Sequence, residues 1–147
     1  MSIREFNIED LEEVVDIWLN SNIAAHNFIH EDYWNSNYEL VKTQYIPNSE
    51  TYIYEEEGKV KGFLSIMKGE FIGAVFVNVN YQSKGIGKAL IDYAKKRYNK
   101  LSLTVYEKNI RAVEFYKREG FNIILSQIDE ATGKNELMME WKMDSYL

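Results

Sequence analysis

The sequence contains no cysteine, a single proline and two histidines among its 147 residues. Without cysteine the chain can form no disulfide framework and no thiolate metal site, and it offers no thiol nucleophile for covalent catalysis. The histidines, His26 and His30, are too few to suggest a buried metal site, so we expect no metal ion. Because Pro47 stands alone and no stretch is repeated or rich in serine and glycine, we expect a single domain over residues 1–147.

Long apolar runs are also absent. No segment approaches the roughly 20 apolar residues that cross a bilayer, and residues 1–6 lack an apolar signal region, so we expect a cytoplasmic protein without a membrane partner. Basic residues are outnumbered, because 17 lysines and arginines against 23 aspartates and glutamates give a formal net charge of −6. This balance argues against nucleic-acid binding and suits a cationic partner, although charge also simply increases solubility. The sequence leaves open a monomer or a homodimer.

A glycine-containing loop is the most informative positive feature. Residues 82–88, Gln-Ser-Lys-Gly-Ile-Gly-Lys, follow the apolar, strand-like run 72–79 and precede the amphipathic, helix-like stretch 89–96. In such a unit the glycines let a ligand approach the backbone, and the helix N-terminus favours an anion such as phosphate. The glycine spacing matches neither a dinucleotide-binding fingerprint nor a P-loop, which argues against nicotinamide dinucleotides and P-loop-bound ATP. By itself the loop is equally compatible with a plain turn before a surface helix.

Hydrophobic periodicity predicts an ordered series of strands and helices. Apolar residues at helical spacing predict helices over 9–19 and 33–45, one from the glycine loop to about 98, and one over 109–120. Runs rich in β-branched and aromatic residues predict strands over 3–6, 51–55, 60–67, 71–79, 101–105, 121–128 and 135–143. The order β-α-α-β-β-β-α-β-α-β-β predicts an α+β fold, an α/β/α sandwich around a mixed sheet whose βαβ crossover contains the glycine loop.

A second motif lies downstream, over residues 109–121. It reads Asn-x-x-Ala-x-x-Phe-Tyr-x-x-x-Gly-Phe, and on a helix Asn109, Ala112 and Tyr116 share one stripe, where the small residue leaves room for a slender ligand. Together with the upstream Gln-x-x-Gly-x-Gly, this motif resembles the paired signature of the GCN5-related N-acetyltransferases (GNAT). The resemblance implies the GNAT acyl-CoA N-acyltransferase fold, acetyl-CoA as the cosubstrate and no metal.

The resemblance also implies roles for individual residues. The CoA phosphates would be held by Gln82, Lys84, Gly85, Ile86, Gly87 and Lys88, and the pantetheine arm by Phe76, Val77, Val79, Asn109, Ala112 and Tyr116. The strand residues would act through their backbones, which also supply an N–H group to the acetyl oxygen. The family commonly has proline where Val79 stands, a departure that backbone contacts tolerate. Tyr116 would be the general acid for the departing thiolate, because a phenol stays protonated at neutral pH; the alternative is a core aromatic beside Phe115.

The acceptor side is less sharply marked. Only a neutral amine attacks, so a base should assist a lysine-like amine of pKa about 10.4, and the candidates are Glu70, Glu107 and His26. Each has a plainer alternative, an exposed acid at a strand end for the two glutamates and a hydrogen-bonding loop residue for His26. Contacts to the acceptor are expected from His26, Phe28, Tyr33 and Phe71, although Phe28 is also typical of a core.

These features predict an acetyl-CoA-dependent N-acetyltransferase that transfers the acetyl group directly to a primary amine, since no cysteine is present to carry it. The pattern His-x-Phe-Ile followed by Tyr-Trp, with Ser-Ile-Met at 65–67, resembles a subgroup of small bacterial acetyltransferases that includes protein-lysine acetylators. A protein lysine and a small-molecule amine both remain open as acceptors. The alternative from another class is a non-catalytic acyl-CoA-binding regulatory module.

Overall fold

The structure, a computed structural model, describes residues 3–144. Within this range the chain forms seven strands and four α-helices in the predicted order. The strands are β1 (Ile3–Glu5), β2 (Glu50–Glu56), β3 (Lys59–Met67), β4 (Phe71–Val77), β5 (Lys100–Tyr106), β6 (Asn122–Asp129) and β7 (Lys134–Lys142). The helices are α1 (Leu11–Ala25), α2 (Glu31–Leu40), α3 (Ile86–Arg97) and α4 (Ile110–Arg118).

All seven strands form one mixed sheet in the order β1-β2-β3-β4-β5-β7-β6. Neighbouring strands are antiparallel except β4 and β5, which are parallel and are connected through α3. The last strand, β7, lies between β5 and β6, so the final hairpin joins the sheet through its second strand. The parallel pair at the centre creates the junction from which the candidate site is built.

Helices cover both faces of the sheet. Side chains alternate along β3, so Phe63 packs in a cluster with Val14 of α1, whereas Leu64 packs in a second cluster with Leu90 of α3. Helix α3 presents its buried residues at helical spacing, Ile86, Leu90, Ile91 and Ala94. The predicted α/β/α sandwich around a mixed sheet is therefore confirmed.

Several predicted element boundaries differ from the structure. Helix α1, predicted over 9–19, runs over Leu11–Ala25, and at two other elements a side chain caps the backbone. Helix α2 begins at Glu31, since Nδ1 of His30 accepts the Asp32 N–H at 3.1 Å, and it ends at Leu40, where a π-helical turn continues to Tyr45. Strand β4 ends at Val77 rather than at 79, because Oδ1 of Asn78 accepts the Asn80 N–H at 2.9 Å and starts a 3-10 turn. Across residues 3–144, no helix combines the length and apolar character needed to span a membrane.

Candidate active site

The two parallel strands at the centre of the sheet separate and leave a cleft. Within residues 3–144 their register consists of one pair, Phe71 with Ser102, beside a hydrogen bond of 3.1 Å from the Ser102 N–H to the Glu70 carbonyl. Beyond this pair, β3 is the only strand among residues 3–144 that pairs with β4, so the other backbone edge of β4 faces the gap. The resulting open cleft has a volume of about 940 Å³ and is lined by residues 72–77 of β4, residues 103–106 of β5, the glycine loop and the first turns of α3 and α4.

The glycine loop lies at the mouth of this cleft and starts α3. Gly85 precedes the helix with a φ of +82°, a left-handed conformation that glycine adopts without strain. The first hydrogen bond within α3 runs from the Ala89 N–H to the Gly85 carbonyl, so the N–H groups before Ala89 face out of the helix end. These N–H groups and the positive end of the helix dipole suit an anionic group.

The first turn of α4 adds a positive charge, on Arg111, that the sequence motifs did not predict. The Arg111 guanidinium donates from Nη1 to Oε1 of Gln82 at 3.2 Å and from Nη2 to Oγ of Ser83 at 2.9 Å. Gln82 in turn donates from Nε2 to the Val77 carbonyl at 3.3 Å, which ties the loop to the end of β4. Arg111 lies off the stripe formed by the motif residues of α4, so helical spacing gave no signal for it.

The two lysines of the loop have different surroundings. Lys88 lines the cleft and forms ion pairs with Glu119 at 3.3 Å and with Asp92 at 3.4 Å. Lys84 lines a separate pocket of about 450 Å³ beside β2 and β3, together with Lys61 and other residues of that hairpin. The structure therefore places Gln82, Gly85, Ile86, Gly87 and Lys88 at the cleft and Lys84 on another side of the loop.

The predicted stripe on α4 also lines the cleft. Asn109 caps the helix, because its Oδ1 accepts the Ala112 N–H at 3.2 Å. Tyr116 is half-buried, and its ring lies edge-on to Phe115 and to Phe121, with centroid distances of 5.2 and 5.6 Å. Burial raises the pKa of the Tyr116 hydroxyl, so this group stays protonated at neutral pH. Tyr116 thus packs on its neighbours and also faces the cleft.

On the face of α1 and α2 the cleft is bounded by aromatic and acidic side chains, here called the aromatic–acidic wall: His26, Trp34, Tyr106, Asp129 and Glu136. The Tyr106 hydroxyl donates to Oδ2 of Asp129 at 2.5 Å, and burial together with this bond raises its pKa. Within residues 3–144, no salt bridge involves Asp129 or Glu136. Both acids lie in the last hairpin, far from either motif, and no sequence signal marked them.

His26 is the most enclosed titratable group of the wall, with 6% of its surface exposed. Its ring stacks on Trp34 at 5.4 Å and meets Phe28 and Tyr106 edge-on at 5.6 and 5.2 Å. Burial is the main cause that lowers the pKa of His26 to about 4, so the ring is neutral at pH 7. A group with this pKa is a weak base, which does not favour the role of proton acceptor for an amine.

Several predicted acceptor-side residues do not line the cleft. Glu70 and Glu107 are exposed and lie outside its lining, so their geometry does not favour a role as base. Phe71 lies where β4 and β5 pair. Phe28 makes an edge-on contact with the ring of His26, and Tyr33 makes one with Trp34.

Val79 also falls outside the lining. It is 46% exposed in the 3-10 turn, because β4 has already ended at Val77. Phe76 and Val77 do line the cleft. Ser21 of α1, which the sequence motifs did not predict, lines it too, and its Oγ donates to the Val77 carbonyl at 3.4 Å. Across residues 3–144, no three His, Asp or Glu side chains are grouped closely enough to hold a metal ion.

The cleft fits acetyl-CoA. The unpaired edge of β4 can bond the amides of an extended pantetheine arm, as a neighbouring strand would. The glycine loop, the N-terminus of α3 and Arg111 offer N–H groups and positive charge that suit the phosphates of this ligand. Gly87 leaves space between the side chains of Val77 and Phe115, because an added Cβ would lie 3.4 Å from the Phe115 ring.

Known proteins are similar to this chain in sequence and in fold. The family described as Acetyltransferase (GNAT) domain matches residues 19–143. The peptidyl-lysine N-acetyltransferase YiaC of Escherichia coli (strain K12) is 38% identical over 139 residues, which cover 95% of each chain. The solution structure of apo-form YjaB from Escherichia coli has a TM-score of 0.84 at 27% identity, over 97% of this chain and 98% of that chain.

A more distant structure shares the fold with its cofactor bound. The structure of yncA from Salmonella typhimurium with acetyl-CoA has a TM-score of 0.68 at 17% identity, over 100% of this chain and 96% of that chain. The family match and the YiaC identity agree with a split sheet, a glycine loop and a tyrosine-bearing helix around one cleft. On these grounds the chain belongs to the GCN5-related N-acetyltransferase family and is an acetyl-CoA-dependent N-acetyltransferase.

Proposed function

We propose that the acceptor is the side-chain amine of a lysine in a protein or peptide. The observation that carries the proposal is the aromatic–acidic wall, where two carboxylates without salt-bridge partners among residues 3–144 line the cleft beside aromatic rings. Carboxylates and ring faces both attract an ammonium group. The peptidyl-lysine activity named for YiaC, at 38% identity over nearly the whole chain, supports the same acceptor class.

The donor half of the site has its own residues. When bound, acetyl-CoA supplies the acetyl group as a thioester. The backbone of residues 72–77 bonds the pantetheine arm, and the glycine loop with Arg111 and Lys88 binds the phosphates. An N–H group of β4 donates to the acetyl oxygen as negative charge develops on it.

Proton transfer completes the reaction. Asp129 and Glu136 hold the incoming ammonium, which must lose a proton before its nitrogen can attack. Since Glu70 and Glu107 lie outside the cleft lining, we assign this proton to water in the open cleft. The Tyr116 hydroxyl donates a hydrogen bond and then its proton to the sulfur as the carbon–sulfur bond breaks, and the proton that the nitrogen loses as the amide forms restores the hydroxyl. The raised pKa of Tyr116 keeps this hydroxyl protonated before the reaction begins.

Acetylation of a panel of acceptors tests the proposal. Lysine peptides, their arginine-substituted counterparts and small amines such as spermidine are each incubated with acetyl-CoA, and CoA thiol release is followed. We expect turnover with lysine peptides and none with the arginine counterparts. Turnover restricted to small amines would refute a protein acceptor, and binding of acetyl-CoA without turnover on any acceptor would favour a binding module.

Variants of the wall locate the acceptor contact. Asp129→Asn and Glu136→Gln should each raise KM for the peptide about tenfold, because a charge-assisted contact is lost, while KM for acetyl-CoA stays within about twofold. Glu130→Gln makes the same charge change next to Asp129 but outside the cleft lining, and it serves as the matched control. Equal effects of Asp129→Asn and Glu130→Gln on peptide KM would show that only overall charge matters.

A further inference from the structure

A hydrogen bond joins two parts of the cleft wall that lie 83 positions apart in the sequence. Nε2 of His26, just after α1, lies 3.1 Å from Nδ2 of Asn109, just before α4. The amide oxygen of Asn109 has a different partner, because Oδ1 accepts the Ala112 N–H at 3.2 Å. The hydrogen-bond network therefore assigns the amide nitrogen to the side of His26, where it acts as the donor.

Because Asn109 is the donor, the bond determines which ring nitrogen of His26 carries the proton. Nε2 can accept a hydrogen bond only without a proton, so the proton of the neutral ring lies on Nδ1. Nδ1 is buried and has no partner of normal hydrogen-bond geometry among residues 3–144, which costs free energy; the nearby Asn22 backbone, which raises the pKa of the ring against the larger effect of burial, offsets part of that cost. A phenyl ring would make the same stacking and edge contacts with Trp34 and Tyr106 without that cost. Packing therefore does not explain an imidazole here, whereas the bond to Asn109 does.

We propose that His26 is a positioning residue that acts through Asn109 on the binding of acetyl-CoA. Asn109 caps α4, the helix that brings Ala112 and Tyr116 to the cleft. By holding the Asn109 amide, His26 fixes the first turn of α4 relative to the segment after α1, and with it the space beside the pantetheine arm. The inference rests on the placement of acetyl-CoA described above and does not depend on which amine is the acceptor.

Calorimetric titration with acetyl-CoA alone tests this inference without an acceptor. His26→Phe keeps the ring contacts and removes the bond, so Kd should rise about fivefold to tenfold, the loss of one neutral hydrogen bond. Asn109→Ala should weaken binding at least as much. In the Asn109→Ala background His26→Phe should add less than about twofold, because its partner is already gone. His26→Gln, whose amide oxygen can replace Nε2 as acceptor, should stay within about twofold of wild type.

A second histidine provides the matched control. His30 is exposed and caps α2, and His30→Asn keeps a capping side chain, so Kd should not change. Thermal unfolding separates positioning from folding. His26→Phe loses the bond to Asn109 but also removes the buried Nδ1–H group, so its Tm should stay close to that of wild type while Kd rises.

Two results would overturn the proposal. The first is an unchanged Kd for acetyl-CoA in His26→Phe. The second is a double variant whose rise in Kd equals the product of the rises in His26→Phe and Asn109→Ala, because two residues that act through one bond should not contribute independently. Weaker binding in His26→Phe that His26→Gln does not restore would assign the effect to the ring rather than to the hydrogen bond, and would also count against it. The acceptor proposal fails separately, if acetyl-CoA binds as expected and lysine peptides are not acetylated.

Discussion

Replacing Tyr116 with phenylalanine isolates the role of one hydroxyl group. The ring lies 5.2 Å from Phe115 and 5.6 Å from Phe121 between centroids, and phenylalanine keeps both contacts. The free energy of unfolding should therefore change by no more than about 1 kcal/mol. A large loss of activity would then report the chemistry of the hydroxyl and not a disturbed cleft.

The size of the loss follows from the donor role. A hydrogen bond to a charged group contributes about 1.5–3 kcal/mol, and about 1.36 kcal/mol corresponds to a factor of ten in rate. The bond to a developing thiolate alone therefore accounts for about a 10- to 150-fold fall in kcat, and full proton transfer extends the fall to about 10²–10⁴-fold. Because this bond strengthens only as the thiolate forms, KM for acetyl-CoA should stay within about twofold.

Initial rates of CoA thiol release with a saturating lysine peptide provide the assay. Burial raises the pKa of Tyr116, so its hydroxyl keeps its proton between about pH 7 and 9, and the ratio of wild-type to variant kcat should stay constant there. Tyr45→Phe, at an exposed position outside the cleft lining, is the control. A Tyr116→Phe enzyme whose kcat lies within about threefold of wild type would refute the general-acid role.

Three further substitutions test other parts of the structure. Gly85→Ala puts an L-residue at a φ of +82°. Because no atom of residues 3–144 outside the neighbouring residues lies within 4 Å of the added Cβ, urea unfolding should report a conformational cost of about 1–2 kcal/mol. Arg111→Gln removes a charge beside the glycine loop, so calorimetry should show a Kd for acetyl-CoA about tenfold higher, with a smaller factor at high salt. Asp10→Asn breaks the pair with Arg4 and should cost about 2 kcal/mol in urea unfolding at neutral pH. The bond from Arg4 lowers the pKa of Asp10 in the folded state. The stabilisation is therefore fully present above the unfolded-state pKa near 4 and is lost as pH falls through the lower folded-state pKa. The unfolding curves of wild type and Asp10→Asn should converge in acid.

Features encoded over short stretches of sequence were predictable. The order of strands and helices follows from periodicity within each segment, and the glycine loop and the α4 stripe are local motifs with recognisable spacing. Boundaries were less accurate where one side chain caps the backbone. Asn78 ends β4 two residues before the apolar pattern does, and this removes Val79 from the strand.

Features that depend on distant parts of the chain were not predictable. Arg111 reaches the glycine loop only because α4 packs beside it, across 29 positions of sequence. Asp129 and Glu136 reach the cleft because β7 lies between β5 and β6, an arrangement that periodicity does not report. The motif indicated that Asn109 faces the cleft, but its partner His26 appears only in the folded chain.

The single paired position between β4 and β5 has a mechanical consequence. With one rung between them, the two halves of the sheet are held together chiefly by side chains, since the cluster around Leu90 of α3 contains both Leu64 of β3 and Leu103 of β5. Packed side chains resist compression and transmit strain, so a change of a single methylene group in this cluster is felt by its neighbours. The width of the gap beside β4 is therefore set by the sizes of core side chains, and substitutions outside the cleft lining, at Leu64 or Leu90, should alter it.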